Sequence, residues 1–364
     1  MKLIDIIAGA RPNFVKIAPI VEAIEKEQKN GFLVEYRLIH TGQHYDAAMS
    51  GSFFEQLGIP EPHINLEVGS GTQAEQTGAI MTGYESLLAN KKSDLCIVVG
   101  DVNSTMACSI VARKMGVKVA HVEAGIRSND WAMPEEINRV VTDSITNWFF
   151  TTSRAAGLNL KKAGVEDERI FFVGNTMIDT LLKQRENFRA PTFWGSLNLQ
   201  KKEYVVLTLH RPSNVDGENK LIELLQLIND AVKTVPVVFP VHPRTSNMLK
   251  TSGQHFKNIH FVDPQAYLEF NYLVEHSKGV VTDSGGITEE TTVMGIPCIT
   301  LRENTERPET VEIGTNELAG TDHKIIKEKL EKLLSGSWKK GAVPELWDGS
   351  TGERVLKIIK DILK

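Results

Sequence analysis

VKVAHVEAGIRSNDWAMPEEINRVV, residues 117–141, decides the fold. Val117–Ala120 reads as a strand. Glu135–Val141 reads as the start of a helix, with Pro134 in its first turn. Between and around them stand His121, Glu123, Arg127, Asp130, Glu135, Glu136 and Arg139. A strand that ends in a turn full of acids and bases is where an open α/β sheet places its chemistry. A solvated loop with surface ion pairs is the plainer account. It ranks second because glycine turns and further motifs fall at equivalent positions along the chain.

Upstream, Leu3–Ile7 is a strand, Ala8-Gly9-Ala10-Arg11-Pro12 breaks it, and Asn13–Glu25 carries apolar residues at helical spacing. Tyr36–Thr41 is a second strand, Ser50–Leu57 a short helix and Thr72–Asn90 a long one. Asp94–Val99 is a strand closed by Gly100-Asp101, with a helix running to Met115. Trp148–Thr152 and Arg169–Val173 are further strands. Strands alternating with helices as far as Thr176 imply a parallel, doubly wound sheet. The pattern weakens over Leu181–Lys202, where Pro191 and Gly195 sit among charged residues, and a domain boundary is expected there. A second alternation follows. Its strands are Tyr204–Thr208, Val237–Val241, Ile259–Val262, Gly279–Thr282 and Cys298–Leu301, the last clear one. Its helices are Leu221–Val232, Tyr267–Glu275 and Ile287–Met294. Glu353–Leu363 is an amphipathic helical tail. The expected fold class is α/β, two Rossmann-like doubly wound domains with the ligand in the cleft between them.

The length of 364 residues also favours two domains. A hydrophobic content of 41% and a charged content of 24% are those of an ordinary globular protein. The net charge of −5 offers no electrostatic reason for nucleic acid or an anionic membrane as partner. Cys96, Cys108 and Cys298 lack metal-ligand spacing and read as reduced, buried thiols of a cytoplasmic protein. No signal peptide and no membrane span are expected.

The motifs suggest chemistry. After its strand, Asp283-Ser284-Gly285-Gly286 opens a helix, so the helix N–H groups and the Ser284 hydroxyl suit a diphosphate; an ordinary βα turn explains the same residues equally well. Arg11 and Lys16 add charge at the first glycine turn, which lacks the dinucleotide-binding spacing. Glu290 could accept hydrogen bonds from sugar hydroxyls. Arg307 could give a diphosphate bidentate recognition. His210-Arg211 and His242-Pro243-Arg244 each follow a strand and favour an anionic ligand; His40 and His44 read as structural. Asp101, Glu123 and Glu135 are three carboxylates gathered at one sheet edge, a set suited to general acid–base work. No catalytic metal is expected, and without G-x-S-x-G a serine hydrolase is not supported.

These motifs resemble the non-hydrolysing UDP-N-acetylglucosamine 2-epimerases over nearly the whole chain. They occur in the family's order: Gly9-Ala10-Arg11-Pro12, Gly100-Asp101, His121-Val122-Glu123-Ala124-Gly125, Pro134-Glu135-Glu136-Ile137-Asn138-Arg139, and Asp283-Ser284-Gly285-Gly286 with Thr305-Glu306-Arg307-Pro308-Glu309. The resemblance implies GT-B architecture, with residues 1–180 carrying the catalytic carboxylates, residues 181–350 binding UDP, and helix 351–364 packed back on the first domain. It implies interconversion of UDP-GlcNAc and UDP-ManNAc through 2-acetamidoglucal, without cofactor or metal, in a homodimer that feeds surface polysaccharide synthesis. It implies Asp101, Glu123, Glu135 and His210 as catalytic residues and Arg139 as their support. Arg11, Lys16, Phe270, Ser284, Gly285, Gly286, Glu290 and Arg307 match substrate contacts, with Phe270 at the uracil. Gln43, Arg211 and His242 match an allosteric UDP-GlcNAc pocket, but Ser70-Gly71 replaces an Arg-Gln pair of that pocket. Asn13 stands where relatives carry glutamate. Epimerases of a diacetamido-uronic acid or N-acetylfucosamine, the hydrolysing branch, and GT-B glycosyltransferases are the alternatives.

Overall fold

Runs with almost no polar residue make strands buried on both faces, as a parallel sheet requires. Lys2–Ala8 (β1) is buried throughout after Lys2 and Met1. Its single acid, Asp5, is fully buried. It accepts two hydrogen bonds from the Arg37 guanidinium, at 2.7 and 2.9 Å, and one from the Tyr84 hydroxyl at 2.9 Å. These donors offset the cost of taking a carboxylate out of water.

The computed structural model describes residues 1–42, 54, 56–211, 218–241, 245, 249 and 254–364, without the side chains of Arg11 and Glu218. The chain divides into two units, Met1–Lys183 with Glu345–Lys364, and Gln184–Pro344.

In the first unit β1 is followed by α1 (Arg11–Lys29), β2 (Val34–His40), β3 (Ile64–Asn65), α2 (Gln73–Asn90), β4 (Leu95–Val99), α3 (Asn103–Lys114), β5 (Lys118–Val122), α4 (Pro134–Ile145), β6 (Trp148–Thr151), α5 (Arg154–Lys162), β7 (Ile170–Phe172) and α6 (Thr176–Gln184). All strands pair in parallel, in the order β3-β2-β1-β4-β5-β6-β7. Strand order reverses between β1 and β4, which puts the ligand-accepting edge at their C-terminal ends. Helix α2 starts on a capping box: Glu75 N–H donates to the Thr72 hydroxyl, and Thr72 N–H donates to the Glu75 carboxylate at 2.9 Å. Its Ile80, Tyr84 and Leu88 join Ala107, Cys108 and Val111 of α3 in one core with Ile7, Cys96, Val98 and Val119 of the sheet. The short helix expected at Ser50–Leu57 lies largely outside the described residues.

The second unit contains β8 (Val205–Thr208), α7 (Glu218–Ala231), β9 (Val237–Pro240), β10 (Ile259–Val262), α8 (Tyr267–His276), β11 (Gly279–Thr282), α9 (Gly285–Met294), β12 (Cys298–Thr300), α10 (Pro308–Glu312), β13 (Asn316–Leu318) and α11 (His323–Leu334). The order is β10-β9-β8-β11-β12-β13, again all parallel, with its reversal between β8 and β11. Cys298–Leu301 is therefore not the last strand. Asn316–Leu318 pairs with β12, and α11 buries Ile326, Leu330 and Leu333. With the polar Asn316-Glu317 making up most of its length, β13 carries no apolar period to betray it.

The chain then returns to the first unit. Trp347 is buried, and its indole N–H donates to the Thr152 carbonyl at 3.0 Å. Helix α12 (Thr351–Ile362) buries Val355, Leu356 and Ile359. Its Gly352 N–H donates to Asp179 Oδ2 at 2.7 Å, so an acid of α6 caps a helix far along the chain. A Cβ on Gly352 would run into the Pro19 carbonyl, so glycine is what lets α12 lie close on α1. Among the described residues no helix is long and apolar enough to cross a membrane.

Candidate active site

The C-terminal ends of β1, β4 and β5 carry the candidates of the first unit. Glu123 follows β5 with φ of 69°, uncommon for a residue with a Cβ, and is buried. Its carboxylate is ion-paired with the Lys16 ammonium. Beyond β4, the Asp101 carboxylate pairs with the Arg139 guanidinium, and Asn138 Nδ2 donates to the Asp101 carbonyl at 2.8 Å. Glu135 is half-buried, and its side chain makes no ion pair or hydrogen bond among the described residues.

Helix α4, which supplies these partners, is inside out. It buries Glu136, Asn138, Arg139, Thr142 and Asp143 and leaves Ile137 44% exposed. Burying charge is tolerable only when it is paired and hydrogen-bonded. Arg139 accordingly donates to Glu136 at 2.8 Å, and Glu136 also accepts Ser128 and Asn129 N–H groups at 2.9 and 3.0 Å. Burial works against the Glu136 charge, but these donors outweigh it and hold the carboxyl below its usual range.

Beneath the two turns, His121 is fully buried and its Nε2–H donates to the Gly100 carbonyl at 2.8 Å. Its Nδ1 lies 2.7 Å from Asp143 Oδ1. The other Asp143 oxygen accepts the Gly125 N–H at 3.1 Å and meets Arg127 at 2.6 Å. Burial opposes the Asp143 charge; His121 and Arg127 outweigh it and hold the carboxyl low. The network ties the end of β4, the end of β5 and the following loop to α4. It braces the turns that carry Asp101 and Glu123.

In the second unit, Thr208 and Thr282 are register partners on β8 and β11, with their hydroxyls 2.6 Å apart. The next residue after Thr282, Asp283, is fully buried and accepts the His210 and Arg211 N–H groups at 3.0 to 3.1 Å. His210 Nδ1 lies 2.6 Å from Asp283 Oδ1, while the side chain stays 61% exposed. Ser284 is the N-cap of α9, and Gly285 and Gly286 begin the helix with no acid in its first turn and no side-chain cap. Its free N–H groups and dipole favour an anion. Arg307 is buried and pairs with Glu289 at 2.6 Å. Glu290 is buried; burial pushes its carboxyl up to about 7, partly countered by the Tyr267 hydroxyl and the Asn271 amide. Phe270 is partly buried against the core beside Leu273 and Val280.

Each unit thus gathers its own set. Asp101, Glu123, Arg139 and Lys16 are linked in pairs in the first. His210 and Arg211 share Asp283, which precedes Ser284, in the second. Lys16 and Arg307, matched to ligand contacts, each also pair with a carboxylate, because a buried cation takes an anionic partner. Arg11 begins α1, but its side chain lies outside the described residues, as do Gln43, His44, His242 and Arg244 entirely. His40 has a structural environment: its Nδ1 accepts the Gly42 N–H at 2.7 Å and its ring stacks on Phe14. Sequence reasoning missed the roles of Glu136, Asp143, Asp283, Glu289 and Asn13. Glu136, Arg139 and Asp143 lie on one face of α4, opposite Ile137 and Val141, and that polar stripe was a readable signal. Among the described residues no cluster of His, Cys, Asp and Glu could hold a metal ion.

Two doubly wound sheets, one with paired carboxylates at its switch point and the other with an uncapped helix start beside a histidine, define a two-domain α/β enzyme of the GT-B kind. A family model described as UDP-N-acetylglucosamine 2-epimerase matches residues 25–360. UDP-N-acetylglucosamine 2-epimerase of Methanocaldococcus jannaschii is 40% identical over 374 residues, covering 99% of each chain. UDP-2,3-diacetamido-2,3-dideoxy-D-glucuronate 2-epimerase of Pseudomonas aeruginosa is 38% identical over 337 residues, covering 92% of each. The crystal structure of the M. jannaschii enzyme in complex with UDP-GlcNAc and UDP matches with a TM-score of 0.87 at 39% identity, over 99% of this chain and 100% of that one. The chain belongs to the UDP-N-acetylglucosamine 2-epimerase family, and is by that membership an epimerase.

Proposed function

We propose that the protein interconverts UDP-GlcNAc and UDP-ManNAc without net hydrolysis. The observation that carries this is the pair of carboxylates, Asp101 and Glu123, at the ends of adjacent strands β4 and β5, each with its own cation. A carboxylate base takes the weakly acidic C2 proton as the C1–O bond breaks. UDP leaves with the bonding electrons, and 2-acetamidoglucal remains. Delivery of a solvent-exchanged proton to the other face of C2 and return of the UDP oxygen to C1 give the epimer. The leaving diphosphate collects charge, which Arg11, His210, Arg307, the Ser284 hydroxyl and the N–H groups of Gly285 and Gly286 are suited to stabilise. Glu135 is assigned as the third acid–base group, Arg139 as the support of Asp101, Glu290 to sugar hydroxyls and Phe270 to the uracil.

The test is UDP-GlcNAc in deuterated water followed by proton NMR. Solvent deuterium should enter C2 as UDP-ManNAc forms. Retention of the C2 proton would exclude the mechanism, and accumulation of free UDP with free ManNAc would assign the hydrolysing branch. A second substrate reading, a UDP-diacetamido-uronic acid, is favoured by the similarity to the P. aeruginosa enzyme. Turnover of that sugar nucleotide exceeding turnover of UDP-GlcNAc would establish it.

We also propose a cytoplasmic homodimer supplying ManNAc units for surface polysaccharide. Three buried cysteines without disulfides support the compartment. The half-buried apolar side of α4 supports self-association. Activation by a second UDP-GlcNAc at Gln43, Arg211 and His242 is not part of the proposal, given Ser70-Gly71; hyperbolic kinetics are expected.

A further inference from the structure

The first turns of α1 are tied to the end of β4. Asn13 Oδ1 accepts the Gly9 and Ala10 N–H groups at 3.2 and 2.9 Å, and Asn13 Nδ2 donates to the Val99 carbonyl at 3.1 Å. Lys16, one turn further along α1, is thereby brought over the same strand end. Gly100 there has φ of 69°, and a Cβ on it would stand 3.4 Å from Lys16 Nζ, 3.5 Å from Asn13 Nδ2 and 3.8 Å from Glu123 Oε2. The three side chains converge at van der Waals distance around Gly100, where it is the left-handed backbone that favours glycine. The Lys16 ammonium and the Glu123 carboxylate are in ion-pair contact with side chains 12% and 2% exposed. A carboxylate so buried is costly to keep charged without a partner.

We propose that Lys16 is a positioning residue for Glu123: its ammonium holds the Glu123 carboxylate in place as an anion beside Gly100, and does not serve as a contact to the diphosphate. Asn13 completes the device by fixing the start of α1 to β4, so that Lys16 arrives in register with Glu123. Arg139 does the corresponding work for Asp101. The proposal rests on the epimerase assignment, in which Glu123 acts on the sugar.

The test compares Lys16→Met and Lys16→Arg in the full chain, reading kcat and KM for epimerisation by NMR and the affinity for UDP alone by calorimetry. Lys16→Met should lose about 100-fold in kcat, the scale on which misplacing a reacting group is felt. Its KM and UDP affinity should stay within about 3-fold. Lys16→Arg should recover about 10-fold of the lost kcat, since a guanidinium can pair with the same carboxylate. In a Glu123→Gln background, Lys16→Met should cost little more, because the partner charge is already gone. UDP affinity weakened about 10-fold with kcat retained would overturn the proposal, as would full additivity of the two substitutions. A wild-type protein that binds UDP but turns over no sugar nucleotide would instead overturn the epimerase assignment, and this proposal with it.

Discussion

At the scale of single residues, buried carboxylates differ by what stands beside them. Asp143 and Glu136 are held charged by histidine, arginine and main-chain donors. Glu290 has no cation among the groups that set its charge, and burial pushes it up from 4.5 to about 7. A carboxyl raised in the folded state contributes stability below its unfolded value, and that contribution is lost as pH rises through the folded one. Wild-type stability in the absence of ligand should therefore fall, relative to Glu290→Gln, by roughly 3 kcal/mol between pH 4.5 and about 7. Denaturant unfolding of both proteins across that range measures it; parallel curves would refute it. Asp101→Asn keeps the shape of the side chain but removes its charge. It should lower kcat by roughly 10²- to 10⁴-fold, checked by the rate of deuterium entry at C2.

At the scale of elements, two helices are held by residues distant in sequence. Helix α12 depends on Asp179 at its start and on Gly352 against Pro19. Asp179→Ala should destabilise the protein by about 1–2 kcal/mol through loss of the cap, read as a shift in the denaturant midpoint. Helix α4 is pinned by its polar face, so its apolar side is free for another role. Ile137→Asp should leave the fold intact and convert a dimer to a monomer in sedimentation. A wild-type monomer, or a dimer unchanged by the substitution, would remove α4 from the interface. Most strands and most of the longer helices were legible from apolar period alone. Ile64–Asn65, Thr176–Gln184, Asn316–Leu318 and His323–Leu334 went unread, the first three because they are short and rich in polar residues whose partners come from elsewhere in the fold.

At the scale of the whole molecule, each unit has a core of its own. Cys96 and Cys108 lie in the first and Cys298 in the second, all buried, and burial pushes all three thiols up. The native protein should therefore be inert to a thiol reagent. In rising denaturant, labelling should occur in two steps, two thiols together and one apart, if the cores melt separately. Simultaneous exposure of all three, followed by mass spectrometry, would show one cooperative unit instead.

The order of residues alone determined the alternation of strands and helices, the two doubly wound halves and the turns where polar side chains collect. Those features follow from local periodicity and from the backbone freedom of glycine. Only the tertiary structure decided which charge answers which. That Lys16 meets Glu123, that Arg139 bridges Glu136 and Asp101, that Asp283 holds His210, and that α4 turns its polar face inward all depend on side chains brought together across the sheets. No local pattern encodes a partner when the contact is made by the packing of separate elements, and in this protein the charges of the site are set by such contacts.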